Sequence, residues 1–205
     1  MSTSIGGAAG AQPIVPAETG GDFALPDTGG EQVAWGFFGG GEGETIRADG
    51  DYSVSGTNGN DTVRGQAQNV FTYGGDDTVE GQFGTVETGP GDDTFVGDLD
   101  LRAPRLEAGP GNDSANIVSA EWGVNVDMGS GIDQLTMSAG DVLNARSIDG
   151  GDQGLFGRGE DTLAIEGGRA AGLQVRDVEG TREQALYDAN GYQLPVYGFE
   201  NIELR

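Results

Sequence analysis

The chain contains no cysteine and no histidine. Without thiolate or imidazole ligands, the usual zinc, copper and iron sites are not expected, and a disulfide framework is excluded. Its ten basic residues are all arginine and face 34 acidic ones, which gives a net charge of −24. Because no basic patch can meet phosphate groups, we expect neither nucleic acid nor an anionic membrane as a direct partner.

Long apolar runs are also missing. No stretch of about 18 apolar residues occurs, so we expect no membrane insertion. The first thirty residues lack the positive and apolar regions of a cleaved secretory signal. Taken alone, this absence favours a cytoplasmic protein.

Glycine is abundant, with 40 in 205 residues, and much of it lies in a repeat between residues 56 and 163. Six copies align on one aspartate and always carry a glycine two residues before it. The aspartates are separated by 16, 16, 20, 20 and 28 residues. The aspartates on which the copies align are Asp61, Asp77, Asp93, Asp113, Asp133 and Asp161.

Apolar residues flank the aspartates at fixed distances. One lies seven positions before most of them (Val54, Val70, Val86, Leu106, Val126), and another usually lies two positions after (Val63, Val79, Phe95, Leu135, Leu163). This pattern predicts a unit of strand, glycine loop and strand. One copy cannot bury its thin apolar stripe alone, so we expect the copies to stack into a solenoid.

The copies resemble the nonapeptide G-G-x-G-x-D-x-U-x of hemolysin-type calcium-binding (RTX) proteins. The resemblance implies an all-β fold: a right-handed parallel β-roll or β-helix solenoid with calcium-binding Gly-Asp loops on one edge. It also implies several Ca²⁺ ions between adjacent loops, held by both aspartate side chains and by backbone carbonyls. The implied side-chain ligands are the six aspartates above.

The implied metal loops also include two further sets of residues. The first is the glycine two positions before each aspartate: Gly59, Gly75, Gly91, Gly111, Gly131 and Gly159. The second is the residue directly before the aspartate, expected to offer its carbonyl and leave its side chain in solvent: Asn60, Asp76, Asp92, Asn112 and Glu160. Glycine-rich turns point carbonyls inward, and calcium binds six to eight such hard oxygens.

Ordinary turns are the alternative, because Asp and Gly dominate turns for reasons unrelated to metal. Six loops in register, flanked by matched apolar positions, favour calcium. The acidic, glycine-rich chain should resist compaction, so we expect calcium binding to supply folding free energy and the calcium-free chain to be largely disordered.

The chain divides into an N-terminal Gly/Ala/Pro-rich arm (1–31), a roll (32–168) and a C-terminal cap (169–205). The arm is flexible by composition, unless a partner or another copy of the chain holds it. In the roll, residues 39–46 resemble a degenerate first copy of the repeat, with Glu44 at the aspartate position. Trp35, Phe37 and Phe38 either cover the open end of the solenoid or form a docking site.

The segments between loops (66–68, 82–85, 97–104, 118–123 and 139–146) form a plain edge without the metal signature. There Trp122 either faces a ligand or partner or packs locally, and residues 149–154 are an expanded turn or an extra ion site. In the cap, residues 169–182 predict one more strand pair, and residues 183–187 a short helical turn. Residues 197–204 resemble the Gly-Phe-Glu-Asn-Ile segment that follows RTX arrays; they read as a closing segment, an export signal or a plain terminal strand.

We expect no enzyme. Paired carboxylates are compatible with glycoside hydrolysis, but here they recur at every loop, and the chain has no room for the separate catalytic domain of RTX enzymes. The first hypothesis is a structural component of an extracellular or particle-surface assembly, whose copies contact one another through residues 1–38. The second is a calcium-dependent adhesion or carbohydrate-binding module. For both, the resemblance implies secretion by the type I route through an uncleaved signal.

Overall fold

The computed structural model describes residues 33–34, 42–100, 104–151 and 160–205. The predictions for the arm (1–31), for Trp35, Phe37 and Phe38, for Gly159, and for residues 101–103 and 152–154 lie outside the described residues.

The protein is an all-β solenoid of about five turns built from parallel stacked strands, as the sequence predicted. Its described residues contain one short helix and no helix long and apolar enough to cross a membrane. The elements are β1 (Val33–Ala34), β2 (Thr45–Ser55), β3 (Thr62–Phe71), β4 (Thr78–Glu87), β5 (Thr94–Leu99), β6 (Arg105–Glu107), β7 (Ser114–Ala120), β8 (Asn125–Asp127), β9 (Gln134–Ser138), α1 (Ala139–Asn144), β10 (Ser147–Asp149), β11 (Thr162–Glu166), β12 (Gln174–Asp177), β13 (Gln184–Tyr187), β14 (Val196–Tyr197) and β15 (Asn201–Leu204).

Strand pairing follows the spacing of the aspartates. The strands that begin just after each aspartate pair in parallel, so that Thr62, Thr78, Thr94 and Ser114 stack in one row. The strands that end before each loop form a second row of pairs, β4–β6–β8–β10–β14. Each interval between aspartates is therefore one coil.

The coil length decides how the strands divide. A coil of 16 residues has room for one loop only, so β3 and β4 run through ten residues without a break. The longer coils add residues at the edge opposite the glycine loops, which separates β5 from β6 and β7 from β8. In the longest coil that edge carries α1, which Ser138 caps by accepting a hydrogen bond from the Asp141 N–H.

The core is a stack of apolar rows inside the coils, and the ten predicted apolar positions are all within it. None of them is more than 2 % exposed. Ala115, which replaces the apolar residue after Asp113, is also buried and stacks between Phe95 and Leu135.

The plain edge differs from the prediction in its first two coils. Residues 66–68 and 82–85 lie within β3 and β4, and Ala67, Phe83 and Leu99 form a third buried row. The Phe83 ring meets Phe95 edge-on at 6.4 Å between centroids. This edge is therefore part of the core.

Only one strand of the extra pair predicted within residues 169–182 is found there, β12, and it pairs antiparallel with β13, which lies beyond that range. The prediction of a helical turn at residues 183–187 was wrong, because β13 occupies most of it. An isolated turn of five residues is a poor helix nucleus, whereas as a strand it buries Leu186 completely and packs Tyr187 under the Arg176 guanidinium at 4.2 Å.

After this hairpin the solenoid resumes for one more coil. β14 stacks Val196 on Ile148, and β15 stacks Ile202 on Leu163. Phe199, which follows β14 and precedes β15 along the chain, is fully buried, and its carbonyl accepts the Gln184 N–H. The terminal segment thus closes the roll.

Candidate metal centre in the stacked loops

The six aspartates that define the repeat form one buried column along the solenoid. Each is 0 to 3 % exposed, although each side chain carries a formal charge at neutral pH by default. Burial of so many carboxylates in one row is costly unless they are hydrogen-bonded and their charge is compensated. The partners of their oxygens therefore decide what the column can do.

One oxygen of each aspartate is held by the neighbouring coil. The backbone N–H of each column residue donates to Oδ1 of the next, at 2.6 to 2.8 Å, from the Glu44 N–H through to Asp161 Oδ1. The Asp161 N–H donates to Glu200 Oε2 at 2.9 Å. Glu44 and Glu200 thus occupy the first and last positions of the column.

The prediction for Glu44 is confirmed by this register, since the Glu44 carbonyl accepts the Thr62 N–H as the Asp61 carbonyl accepts the Thr78 N–H. Glu200 was missed. Its signal was present, because Gly198 lies two residues before it and Ile202 two after, with glutamate in place of aspartate.

A second ladder runs along the outside of the same loops. Side-chain oxygens of Asn60, Asp76, Asp92 and Asn112 accept the backbone N–H of the equivalent residue in the following coil, at 2.7 to 3.1 Å. These side chains are exposed, as predicted, but they are hydrogen-bonded as well as solvated. Their direction is opposite to that of the buried ladder, so each loop is tied to both neighbours.

The glycines before the aspartates are required by stacking. A Cβ at Gly75, Gly91, Gly111 or Gly131 would lie closer than 3.0 Å to backbone atoms of the loop beneath. Gly75, Gly91 and Gly131 also have positive φ, between 115° and 153°. This packing explains the glycine that never varies without reference to a metal.

The second oxygen of the inner aspartates has no partner. Oδ2 of Asp77, Asp93, Asp113 and Asp133 is buried and accepts no hydrogen bond. Buried carboxylate oxygens without a donor are rare in folded proteins. Each one lowers the free energy of unfolding by about 1–3 kcal/mol, and by more when it is charged. These four oxygens therefore need a proton or a cation.

Electrostatics indicates the same need. Burial raises the pKa of Asp77 to about 6 and the pKa of Asp93, Asp113 and Asp133 to about 7. Desolvation is the largest cause, and the adjacent carboxylates raise the pKa values further. Backbone hydrogen bonds from the neighbouring coil lower them, as do the nearby Thr72 and Thr88 hydroxyls for Asp77 and Asp93. The negative charge is thus unfavourable in this column unless a positive charge joins it.

A small cavity lies on the core side of the column. This cavity of about 10 Å³ lies beside Asp93 and Asp113, where Ala108 and Ala115 replace larger residues of neighbouring coils. Such a volume admits about one particle the size of a water molecule. Its surface is almost entirely apolar and is formed largely by Phe95, Leu106 and Met128, so the cavity belongs to the packing of the core and is not itself an ion site.

The donor set fits calcium in kind. All donors are carboxylate or carbonyl oxygens, which hard cations prefer. The described residues contain no group of three or more acidic side chains that could hold a metal by themselves, because the aspartates form a line. An ion here would therefore take one or two carboxylates and complete its shell with loop carbonyls.

The remaining predicted positions are scattered. Glu160 is exposed, and the Asp149 carboxylate accepts the Gly151 N–H at 3.0 Å as a local turn contact. Trp122 is 83 % exposed, which excludes the local packing that was one of its two interpretations. It lies opposite the carboxylate column, where Gly123 donates to the Asn144 carbonyl at the end of α1.

Comparison with protein-family models, with curated proteins and with solved structures finds no match to this chain.

Proposed function

We propose that this chain is a non-enzymatic calcium-binding β-solenoid that serves as a structural component of an extracellular or particle-surface assembly. The observation that carries the proposal is the set of four buried aspartate oxygens without a hydrogen-bond donor. The four carboxylates lie in one column, in consecutive coils, and repel one another.

A cation explains the column better than protons do. A proton on Oδ2 would be a buried donor that itself requires an acceptor, so it would exchange one unsatisfied group for another. A divalent cation between two coils compensates two carboxylates at once and accepts their lone pairs directly. With oxygen donors only, calcium is the expected ion.

Asp77, Asp93, Asp113 and Asp133 would hold the ions, and carbonyls of the glycine loops would complete the shells. When bound, calcium supplies positive charge to loops that already carry two hydrogen-bond ladders. The ladders fix the register of the coils, and the ions remove the repulsion within the column. Binding free energy is then folding free energy.

The structural role is supported by charge and surface. A second row of carboxylates, Glu87, Glu107, Asp127 and Asp149, stacks in register on an outer face of the roll. Like charges opposite one another destabilise a sheet, so a rigid polyanion of net charge −24 depends on cations to condense. A chain that becomes rigid only where calcium is plentiful suits a secreted component, and residues 1–38 would contact other copies.

Sizing in calcium tests the structural role. Light scattering at increasing protein concentration is expected to show oligomers or filaments in calcium that disappear in excess chelator. A truncation of residues 1–31 should remain folded and monomeric. A full-length chain that stays monomeric in calcium at high concentration would contradict the role in assembly.

A calcium-dependent adhesion or carbohydrate-binding module is the second candidate, favoured by the exposure of Trp122 at 83 %. Aromatic rings on a rigid surface are common contact residues in binding sites. A glycan array read in calcium tests it with two variants, Trp122→Ala and the control Tyr192→Ala, whose ring is also exposed. Glycan binding that only Trp122→Ala removes would favour this candidate; the absence of any binding would reject it.

A further inference from the structure

The first loop of the array differs from the others in the partners of its aspartate. Asp61 Oδ2 accepts the Thr57 N–H at 2.6 Å, and its two oxygens lie 3.1 and 3.3 Å from the Thr57 hydroxyl. Both Asp61 oxygens therefore have donors, since Oδ1 also accepts the Glu44 N–H of the neighbouring coil. In the next four loops the corresponding Oδ2 is buried and has no donor. The Thr72 and Thr88 hydroxyls lie beside Asp77 and Asp93, but they donate to the carbonyls of Thr88 and Ala108, at 3.1 and 2.8 Å.

The difference begins with one residue type. Four positions before the aspartate, the other described loops have positive φ, at Tyr73, Gly89, Gly109 and Gly129. The first loop has Thr57 there, and a β-branched residue avoids that conformation. Among the described non-glycine residues only Tyr73 adopts positive φ. Thr57 instead turns its N–H and hydroxyl toward Asp61, and its hydroxyl also accepts the Gly59 N–H at 3.0 Å.

A second residue makes room for this arrangement. A Cβ at Gly56 would lie closer than 3.0 Å to Asp61 Oδ2. The stacked positions in the next coils are Thr72 and Thr88, which carry a Cβ. Gly56 leaves room for the Asp61 carboxylate, and Thr57 donates to it, so the two residues together form a hydrogen-bonded cap over Oδ2. In the next four loops the equivalent Oδ2 has no such cap.

We infer that the loop of residues 56–61 binds no calcium and that Thr57 takes the place of the ion there, so that calcium binding begins at Asp77. This inference rests on the proposed calcium function. It changes the implied ligand set by removing Asp61, although Asp61 matches the repeat as well as the other aspartates do. The first coil would be a calcium-independent start on which the calcium-dependent coils stack.

The test counts calcium ions bound to the full-length chain, by native mass spectrometry and by equilibrium dialysis with metal analysis. The double substitution Gly56→Thr and Thr57→Gly gives the first loop the same Thr-Gly start that residues 88–89 have. Its Asp61 loses the cap, so the variant should bind one more ion than the natural chain. The control Thr57→Ser keeps the hydroxyl and the N–H and should leave the number unchanged.

Two further variants measure loss. Asp113→Asn should lower the number of bound ions by at least one, whereas Asp61→Asn should not lower it. If Asp61→Asn loses an ion, or if the double variant gains none while circular dichroism shows it folded, the inference is overturned. If Asp61→Asn does not fold, the double variant decides alone. A natural chain that binds no calcium would instead refute the proposed function, which keeps the two failures distinct.

Discussion

At the residue scale, the repeat combines two requirements that the sequence displays as one motif. The glycine two positions before the aspartate is required by contact with the loop beneath at Gly75, Gly91, Gly111 and Gly131. The aspartate is required as the acceptor of an N–H from the preceding coil. The sequence showed both positions, because they recur at a fixed spacing, but it assigned them to metal loops and did not predict the stacking contact of the glycine. It could not tell which carboxylate oxygens lack a donor, since Thr57 changes the outcome at Asp61 through its backbone conformation.

The stacking role of glycine can be separated from its conformational role by two alanine substitutions. Gly123→Ala places a side chain at φ 87°, near the left-handed region, which costs roughly 1–2 kcal/mol, and Gly91→Ala places one at φ 146°, which an L residue tolerates no better. Only at Gly91 would the new Cβ also meet backbone of the next loop, whereas nothing lies within 4 Å at Gly123. We expect Gly91→Ala to cost at least about 2 kcal/mol more, since overpacking adds about 1–3 kcal/mol and backbone cannot yield easily.

Urea denaturation at saturating calcium measures both changes in the free energy of unfolding. Equal losses for the two variants would show that the loops are not in close contact, and that the invariant glycine has another cause.

At the scale of elements, the spacing of the aspartates predicted the parallel strands and both flanking apolar rows. The third row was not predicted, because Ala67, Phe83 and Leu99 differ in residue type although they are evenly spaced. After Leu99 the spacing also changes, since a register shift places Ala120 on Leu99. Helix α1 was missed although Ser138 and Asp141 form a recognisable capping pair. The β13 segment was predicted as helical because its strand partner lies outside the repeat.

The third row can be tested at Phe83, which is completely buried. Phe83→Ala should lower the free energy of unfolding by about 3–5 kcal/mol, because it removes the largest side chain of that row and leaves a cavity. The exposed Tyr192 provides a control, for which Tyr192→Ala should change stability by less than about 0.5 kcal/mol. Thermal denaturation in calcium gives both values, and similar small losses would mean that this edge is not part of the core.

At the scale of the whole molecule, the dominant feature is the negative charge. Net charge −24 spread over a chain with 40 glycines opposes compaction, and composition alone established this. Composition could not show that six of the carboxylates are buried in a single column, or that burial raises the pKa of four of them, Asp77, Asp93, Asp113 and Asp133. That placement comes from the register of the coils.

The raised pKa values predict an unusual response to acid in chelator. A carboxyl group whose pKa is higher in the folded state than its ordinary value of 3.8 binds its proton more tightly there. Its stabilising effect is complete below the ordinary value and is lost as the pH rises through about 6 to 7. The calcium-free chain should therefore gain strand structure when the pH falls from about 8 to about 5.

Far-UV circular dichroism along a pH series in chelator records this gain. Calcium should remove most of the dependence above about pH 7, because the ion replaces the proton. Strand content that increases with pH in chelator would show that the aspartate column is not the group that responds.

The most direct measurement is small-angle X-ray scattering during a calcium titration that starts in excess chelator at neutral pH. A chain of 205 residues has a radius of gyration of about 49 Å when unfolded and about 17 Å when compact. We expect a value near the larger figure without calcium and a cooperative decrease toward the smaller one as calcium is added. A chain that is equally compact after exhaustive chelation would contradict the account.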